Sequence, residues 1–467
     1  MTDSELPKLH VPGKPRYTTI AEDVDFYTIF EKIEAAYDIC FYLESLGEEG
    51  NRSRYSLIGF DPSRLITATT KQELEIRDCR TGESRTYATE NPYEALRGIT
   101  PQHVISRQYA GGLVGYLGYD CVNFFEPSLS IQESDLFEPF KFGFYKDGLI
   151  FDKMTNQVLY FYYDEDRLPE VHRLMHEGKR NEESVSVRFL GNTCTREQHA
   201  EAVEKVSRDI RDGLVFQAEV GFKSKYRIRG NALKIYERLR EYNPSPHMYY
   251  VKFGDQKIIG ASPELLFRLM QGEMETYPLA GTINRGKTHE EDLALARRLL
   301  NDPKEIAEHN MLVDLHRNDI GRVARFGTVK VRNLMDIKRF SHVQHISSEI
   351  CGIIRKGEDM FSALASNFPA GTLTGAPKIE AMKIINSMED EGRGPYGGAV
   401  GQFCFNGDCN FAIPIRSIFM KGEDAYVQTC GGIVYDSVAE NEYEEIVRKL
   451  SATKNILDGF ADENPDD

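Results

Sequence analysis

The sequence predicts an α+β protein rather than a doubly wound α/β one, and three observations carry that expectation. Short apolar strand candidates are joined directly by tight turns, most clearly at Asn406-Gly407, the strongest short turn signal. Capped amphipathic helices interrupt these hairpins at irregular intervals instead of alternating with single strands. No GxGxxG fingerprint or phosphate loop is present, and the glycine-rich stretch 109–120, YAGGLVGYLGYD, reads as close backbone packing. At 467 residues the chain exceeds one ordinary core, so two domains or one large two-lobed unit is expected.

The first region is taken as 1–190. Residues 1–15 read as a loose tail, 26–37 as a helix and 40–45 as a strand. After the polar loop 47–53, residues 54–59 and 65–77 read as strands of one sheet. Segments 142–152 and 157–163 form a hairpin around Met154-Thr155-Asn156. The charged stretch 165–188 is helical in its middle and ends the region.

The second region, 191–460, opens on a capping box, Thr195 with Gln198, before the stripe Val203, Val206 and Ile210. Residues 214–229 alternate as a strand, with Phe216, Ala218, Val220 and Phe222 on one face and Gln217, Glu219 and Lys223 on the other, where exposure is the default. A helix at 232–242, a hairpin of 248–253 with 257–260, a strand at 265–270 and a loop at 278–282 follow. Thr288 with Glu291 caps a further helix. Residues 328–335 read as a strand and 355–368 as helical. Pro377 starts a helix, 397–405 pairs with 410–420, and 425–430 is a last strand. The acidic end, 461–467, is expected to be disordered.

Charge and composition exclude several functions. With 57 Lys and Arg against 73 Asp and Glu, the formal charge of -16 argues against nucleic acid or anionic membrane as partner. No apolar run approaches the roughly eighteen residues of a membrane span, and MTDSELPKLH is no signal peptide, so a cytoplasmic location is expected. The eight cysteines form no CxxC pair, which leaves a zinc ribbon or disulfide framework without support. The chain contains no tryptophan.

The stretch 302–322, DPKEIAEHNMLVDLHRNDIGR, carries its own helix signals. Asp302 caps, Pro303 takes the first helical position, Glu305 completes a capping box and Gly321 is the stop. Met311, Leu312 and Leu315 share a face with Glu308, while Ile306 and Val313 make a second apolar face. A carboxylate inside an apolar stripe is costly to bury unless paired or metal-bound. Spacing leaves two readings open: a glutamate at the core rim reaching water, or a ligand. The final helix, 439–457, poses the same choice, with Glu442, Glu445 and Lys449 on one side. Glu445 and Lys449 are either an exposed i,i+4 pair, or Glu445 joins Glu308 in a two-carboxylate Mg²⁺ site completed by substrate oxygens and water. Gly281-Thr282, Gly371-Thr372, Gly397-Gly398 and Gly431-Gly432 offer backbone N–H groups to an anion. Arg416, placed on a strand, offers a bidentate carboxylate clamp. His342 and His345 lie three apart, each either hydrogen-bonded or catalytic.

The motifs VFQAEV (215–220), ASPELL (261–266), PLAGT (278–282), AEHNMLVDLHRNDIGR (307–322), SHVQHISSEICG (341–352), FPAGTLTGAPK (368–378), RGPYGGAVGQF (393–403), IRS (415–417) and GGIVYDS (431–437) carry a resemblance to the chorismate-utilising enzyme family. It spans about 194–459 and continues more loosely through YLES and GGLVGYLGYD in the first region. Within the family the chain is most similar to the large subunits that make anthranilate. The resemblance implies a two-lobed α+β fold, with two large antiparallel sheets packed face to face and helices outside.

It also implies roles. Glu308 and Glu445 are similar to the Mg²⁺-binding glutamates, the metal holding the ring carboxylate of chorismate. Tyr396, Arg416 and the backbone of Gly431-Gly432 bind carboxylates, while Lys449 and Gly281-Thr282 complete the pocket. Glu264 resembles the general acid for the leaving 4-hydroxyl. His345 resembles the histidine needed for the later loss of pyruvate, with Thr372 nearby. Gln217 stands where isochorismate- and salicylate-forming members place a lysine, and Ala280 where many aminodeoxychorismate-forming members do. Both positions imply ammonia as nucleophile and anthranilate as product, through 2-amino-2-deoxyisochorismate. The alternatives are aminodeoxychorismate formation in the folate pathway, or a non-catalytic scaffold that binds an amidotransferase.

Ser45 and Pro246-His247-Met248 resemble the family's tryptophan feedback site, His247 departing from the expected tyrosine. Cys430 replaces the usual glycine or alanine. The sequence has no glutaminase nucleophile elbow, so the resemblance implies a separate glutamine amidotransferase subunit, in a heterotetramer. The absence of tryptophan fits an enzyme made when tryptophan is scarce.

Overall fold

Hydrophobic residues on both faces of a strand require cover on both sides, and here one cover is a second sheet. In the computed structural model, which describes residues 6–21, 24–47, 53–106, 108–339 and 343–461, the strands form two 12-stranded antiparallel sheets. Most of the loop expected at 47–53, His342 and the acidic end beyond residue 461 lie outside the described residues.

The first sheet runs from Arg16–Ile20 at one edge, through the central His247–Phe253 and Gln256–Ser262, to Asp424–Ile433, Gln217–Gly230 and Val185–Asn192. The second runs from Leu279–Asn284 and Val343–Ile353, through Leu265–Met270 and Cys409–Ala412, to Ser84–Ala88. Phe41, Tyr249, Val251 and Ile258 of the first sheet meet Ile66, Val114, Phe267 and Phe411 of the second in one core. Their sequence neighbours Cys40, Tyr42, Tyr250 and Ile259 face the other way, under the helices Phe26–Ala36 and Leu233–Tyr242. That alternation is the period-2 pattern of a strand buried on both faces. Strands from 1–190 and from 191–460 share both sheets, so neither region makes a sheet of its own.

Several local expectations need correction. Residues 6–15 dock instead of trailing: Leu9 N–H donates to Ile99 O at 3.0 Å and Val11 joins the core. Segment 65–77 is two strands, Arg64–Thr70 and Glu73–Asp78, and both lie in the second sheet while Tyr55–Phe60 lies in the first. The loop expected at 278–282 is a strand, Leu279–Asn284, because Val343–Ile353 supplies its hydrogen bonds. Only Met360–Asn367 of 355–368 is helical. The second arm of the 406–407 hairpin stops at Ala412, and Ser417–Lys421 joins the other sheet, so Arg416 lies in a crossing and not on a strand.

The Pro303–Val323 helix is capped by Asp302, which accepts from the N–H groups of Lys304 and Glu305. It continues past Gly321, because Ile320 and Val323 are still being buried. Its inner face is more polar than the apolar stripe suggested: His309, His316 and Asp319 are buried beside Leu312 and Val313, whereas Met311 and Leu315 are only half-buried.

Candidate active site

Two crossings between the sheets build the centre of the site. Ser262-Pro263-Glu264 leads from Gln256–Ser262 into Leu265–Met270, and residues 413–416 lead back from Cys409–Ala412 to Ser417–Lys421. The crossings hold each other: Ser262 Oγ donates to Ile413 O at 2.6 Å, and Ile413 N–H donates to Glu264 O at 3.1 Å. Glu264 and Arg416 are thereby brought within electrostatic reach. Arg416 sits at φ 51°, a left-handed conformation that a non-glycine residue keeps only when its surroundings impose it.

Glu264 is 5% exposed and accepts from Thr372 Oγ1 at 3.0 Å. Burial pushes its carboxyl up to about 8, against the pull of the Thr372 hydroxyl and the Leu279 N–H. It is therefore an acid that still holds its proton near neutral pH.

His345, also within reach of Arg416, lies on the second sheet, where it pairs with Thr282. Its Nδ1 lies 3.0 Å from Gly281 O and 3.1 Å from Thr282 Oγ1. A carbonyl only accepts, so Nδ1 carries the proton and Nε2 keeps the basic lone pair. Burial, then the Arg416 charge, lowers its pKa to about 4, so the ring is neutral. Gly281 turns at φ 65°, and a Cβ there would stand 2.7 Å from Glu305 Oε2. Glu305 thus leans on this turn and does not return to the helix cap, which leaves the expected capping box half made.

The opposite wall is Gln217–Gly230 with its neighbour Asp424–Ile433, in which Glu219 pairs with Gly432. Gln217 is 2% exposed, contrary to the expected surface position, because the backbone of Gly432 on the adjacent strand lies against its amide and Ala376 pairs with it at the start of the strand. Its Nε2 donates to Glu219 Oε1 at 2.9 Å. The strand begins at Gln217, and Phe216 is left exposed. From the helix, Lys449 Nζ donates to Cys430 O at 3.0 Å and pairs with Glu445 at 2.8 Å. Tyr396 is buried, and its hydroxyl donates to Cys430 Sγ at 3.2 Å, so this phenol is engaged inside the wall.

A ring of carboxylates closes the site. Burial and then the charges of Glu219 and Glu305 push Glu308 up to about 7, with Glu445 adding to the effect. Glu305 and Glu442 are raised too, first by burial and then by neighbouring carboxylates. Burial opposes ionisation of Glu445, but Lys449 beside it holds the carboxyl below the usual range. Like charges gathered from two helices fit a hard divalent cation. Mg²⁺ takes one or two carboxylates and draws its other oxygens from substrate and water. Among the described residues no three His, Cys, Asp or Glu side chains are grouped so as to hold a metal ion.

Ser45, Pro246, His247 and Met248 are brought together elsewhere, on a cavity of about 180 Å³ that also reaches Tyr55, Arg268 and Asn410. Burial, then Arg268, lowers His247 to about 4.

The sequence reading gave no role to Glu219 or Arg393. Arg393 donates to Leu373 O at 2.7 Å and to Glu219 O at 2.9 Å, fixing the Thr372 turn against the wall strand. The period-2 spacing of Glu219 from Gln217 was its signal; Arg393 had only its place before the Gly-Pro-Tyr-Gly-Gly run.

Known proteins share this arrangement of sequence. The chorismate binding enzyme family matches residues 38–455. Anthranilate synthase component 1 of Leptospira biflexa is 51% identical over 460 residues, covering 97% of this chain and 98% of that protein. The component 1 of Methanothermobacter thermautotrophicus is 42% identical over 454 residues, 96% of each. The crystal structure of anthranilate synthase component I from Streptococcus pneumoniae superposes with a TM-score of 0.75 at 31% identity, covering 88% of this chain and 94% of that one. With the match running through both sheets and every wall of the site, the chain belongs to the chorismate binding enzyme family.

Proposed function

We propose that the chain is the chorismate-converting component of anthranilate synthase, a lyase that turns chorismate and ammonia into anthranilate and pyruvate in tryptophan biosynthesis. The observation that carries this reading is that Glu264, buried and held by Thr372, and His345, buried and held through Nδ1 by Gly281 O, both lie within reach of Arg416, with burial favouring the protonated acid and the neutral ring. In the first step ammonia bonds to ring C2 and the two ring double bonds shift. The C4–O bond then breaks as Glu264 gives its proton to the departing hydroxyl, which leaves as water. In the second step His345 takes the proton from C2 of 2-amino-2-deoxyisochorismate and the C3–O bond breaks. The ring becomes aromatic, and the enolpyruvyl fragment gains a proton to become pyruvate.

Arg416 and the Gly431-Gly432 backbone hold the substrate carboxylates. Mg²⁺ held by Glu308 and Glu445 would supply Lewis acidity and a template for the ring carboxylate. Neither Gln217 nor Ala280 offers an amine, which favours ammonia over water and a 2-amino over a 4-amino product. The name component 1 among relatives supports a glutamine-hydrolysing partner, proposed in a cytoplasmic heterotetramer. The cavity at Ser45 and Pro246-His247-Met248, none of whose lining residues takes part in the chemistry above, supports feedback inhibition by tryptophan.

Chorismate, Mg²⁺ and ammonium chloride given to the chain should yield anthranilate fluorescence and an equal amount of pyruvate. A 4-amino product without pyruvate would assign aminodeoxychorismate formation instead, and no turnover would favour the scaffold reading.

A further inference from the structure

Gln217 Oε1 is buried and has no hydrogen-bond partner, while Nε2 of the same amide is committed to Glu219. A sealed amide oxygen without a donor carries a desolvation cost that nearly all buried polar groups avoid. Glu219, 6% exposed, is likewise an acceptor, and among the described residues no ion pair reaches its carboxylate within 4 Å. Its surroundings are the Cys430 thiol on the adjacent strand, Lys449 and Glu445 on the last helix and Arg393 of the wall, with Glu264 and Glu308 across the site. Gln217 Oε1 therefore has no donor, and two residues on, the Glu219 carboxylate is served by Gln217 Nε2 and the Cys430 thiol but, among the described residues, by no ion pair. Gly432 holds the backbone against them: a Cβ there would lie 2.3 Å from Gln217 Nε2 and 2.6 Å from Glu219 Oε1.

We propose that Gln217 Oε1 and the Glu219 carboxylate form the subsite for the nitrogen nucleophile, receiving it as ammonium and releasing it as ammonia. The inference rests on the chorismate-plus-ammonia reading. Ammonium supplies the N–H donor that Gln217 Oε1 lacks and, in the same ion, a positive charge for the Glu219 carboxylate, which no salt bridge among the described residues reaches. One ammonium proton passes to the Glu219 carboxylate, giving a carboxylic acid and ammonia. The freed lone pair forms the N–C2 bond, while the C4–O bond breaks and the Glu264 proton leaves with the hydroxyl as water. The new C2 ammonium group loses its extra proton to solvent, and both glutamates return to their starting states by exchange with water.

The test is steady-state kinetics of the full chain with ammonium chloride, Glu219→Gln against wild type, from neutral to alkaline pH, with circular dichroism to check folding. Loss of one charge-assisted contact should raise the KM for ammonium by about tenfold or more near neutral pH, with chorismate KM within about twofold. The deficit should shrink as pH rises and free ammonia replaces ammonium, and Glu219→Asp should recover part of it. An unchanged ammonium KM, or a deficit equal for both substrates and flat with pH, would overturn the subsite. If wild type makes no anthranilate from chorismate and ammonium, the functional reading falls and the subsite with it.

Discussion

Replacing Glu264 by glutamine should separate activity from stability. The carboxyl is raised from 4.5 to about 8 by burial. The folded state therefore keeps a proton that the unfolded state loses, and stability contributed by this group falls as pH rises from 4.5 towards 8. At 1.36 kcal/mol per pH unit, that penalty reaches about 3 kcal/mol at pH 7 and about 4 kcal/mol at pH 8, as upper values before relaxation. Glutamine keeps an oxygen for Thr372 and has no proton to lose, so Glu264→Gln should melt above wild type at pH 8 and level with it near pH 4.5. Without its general acid the variant should lose about 10²–10⁴-fold in kcat. The assay is thermal unfolding of both proteins from pH 5 to 8.5, with anthranilate formation measured in the same buffers. A variant less stable by a constant amount at every pH, or one within about threefold of wild-type turnover, would refute the proton inventory.

Three further outcomes follow from the geometry. His345→Gln should let 2-amino-2-deoxyisochorismate accumulate, seen by mass, while pyruvate release falls by about 10²-fold or more; undiminished pyruvate release, or its loss with no build-up of the intermediate, would remove His345 from the second step. Gly432→Ala should lower turnover sharply, since its methyl group would displace Gln217 and Glu219, with chorismate and ammonium kinetics as the readout. Tryptophan at a hundredfold excess over its Kd should stabilise the chain by roughly 2.7 kcal/mol, and Ser45→Phe should abolish that thermal shift without slowing turnover.

What the sequence disclosed follows how far each signal reaches along the chain. The Thr195–Gln198 capping box, the Asp302 cap and the 406–407 turn are local, and each stands where it was read. Sheet membership is long-range: nothing near Ser417 says that the chain leaves one sheet for the other, and this is why Arg416 was placed on a strand. Gly321 failed as a stop because the core beneath Val323 outweighs a glycine that can also be helical. Gln217 was placed at the surface because a polar strand face is usually wet; its cover comes from Gly432 on a strand more than 200 residues further on. Glu219 was missed for the same reason. Glu308 was legible because a carboxylate beside apolar residues is anomalous in one dimension, and its partners Glu445 and Glu305 make that anomaly chemical.

The central claim is that nitrogen from ammonia is placed on the ring carbon next to the carboxylate-bearing one, followed by loss of pyruvate. The most direct measurement is nuclear magnetic resonance of the product formed from chorismate and ¹⁵N-ammonium by the full chain with Mg²⁺. The account predicts one labelled nitrogen, ortho to the ring carboxylate, on an aromatic ring with no enolpyruvyl group. A label para to the carboxylate, or a hydroxylated product without label, would contradict it.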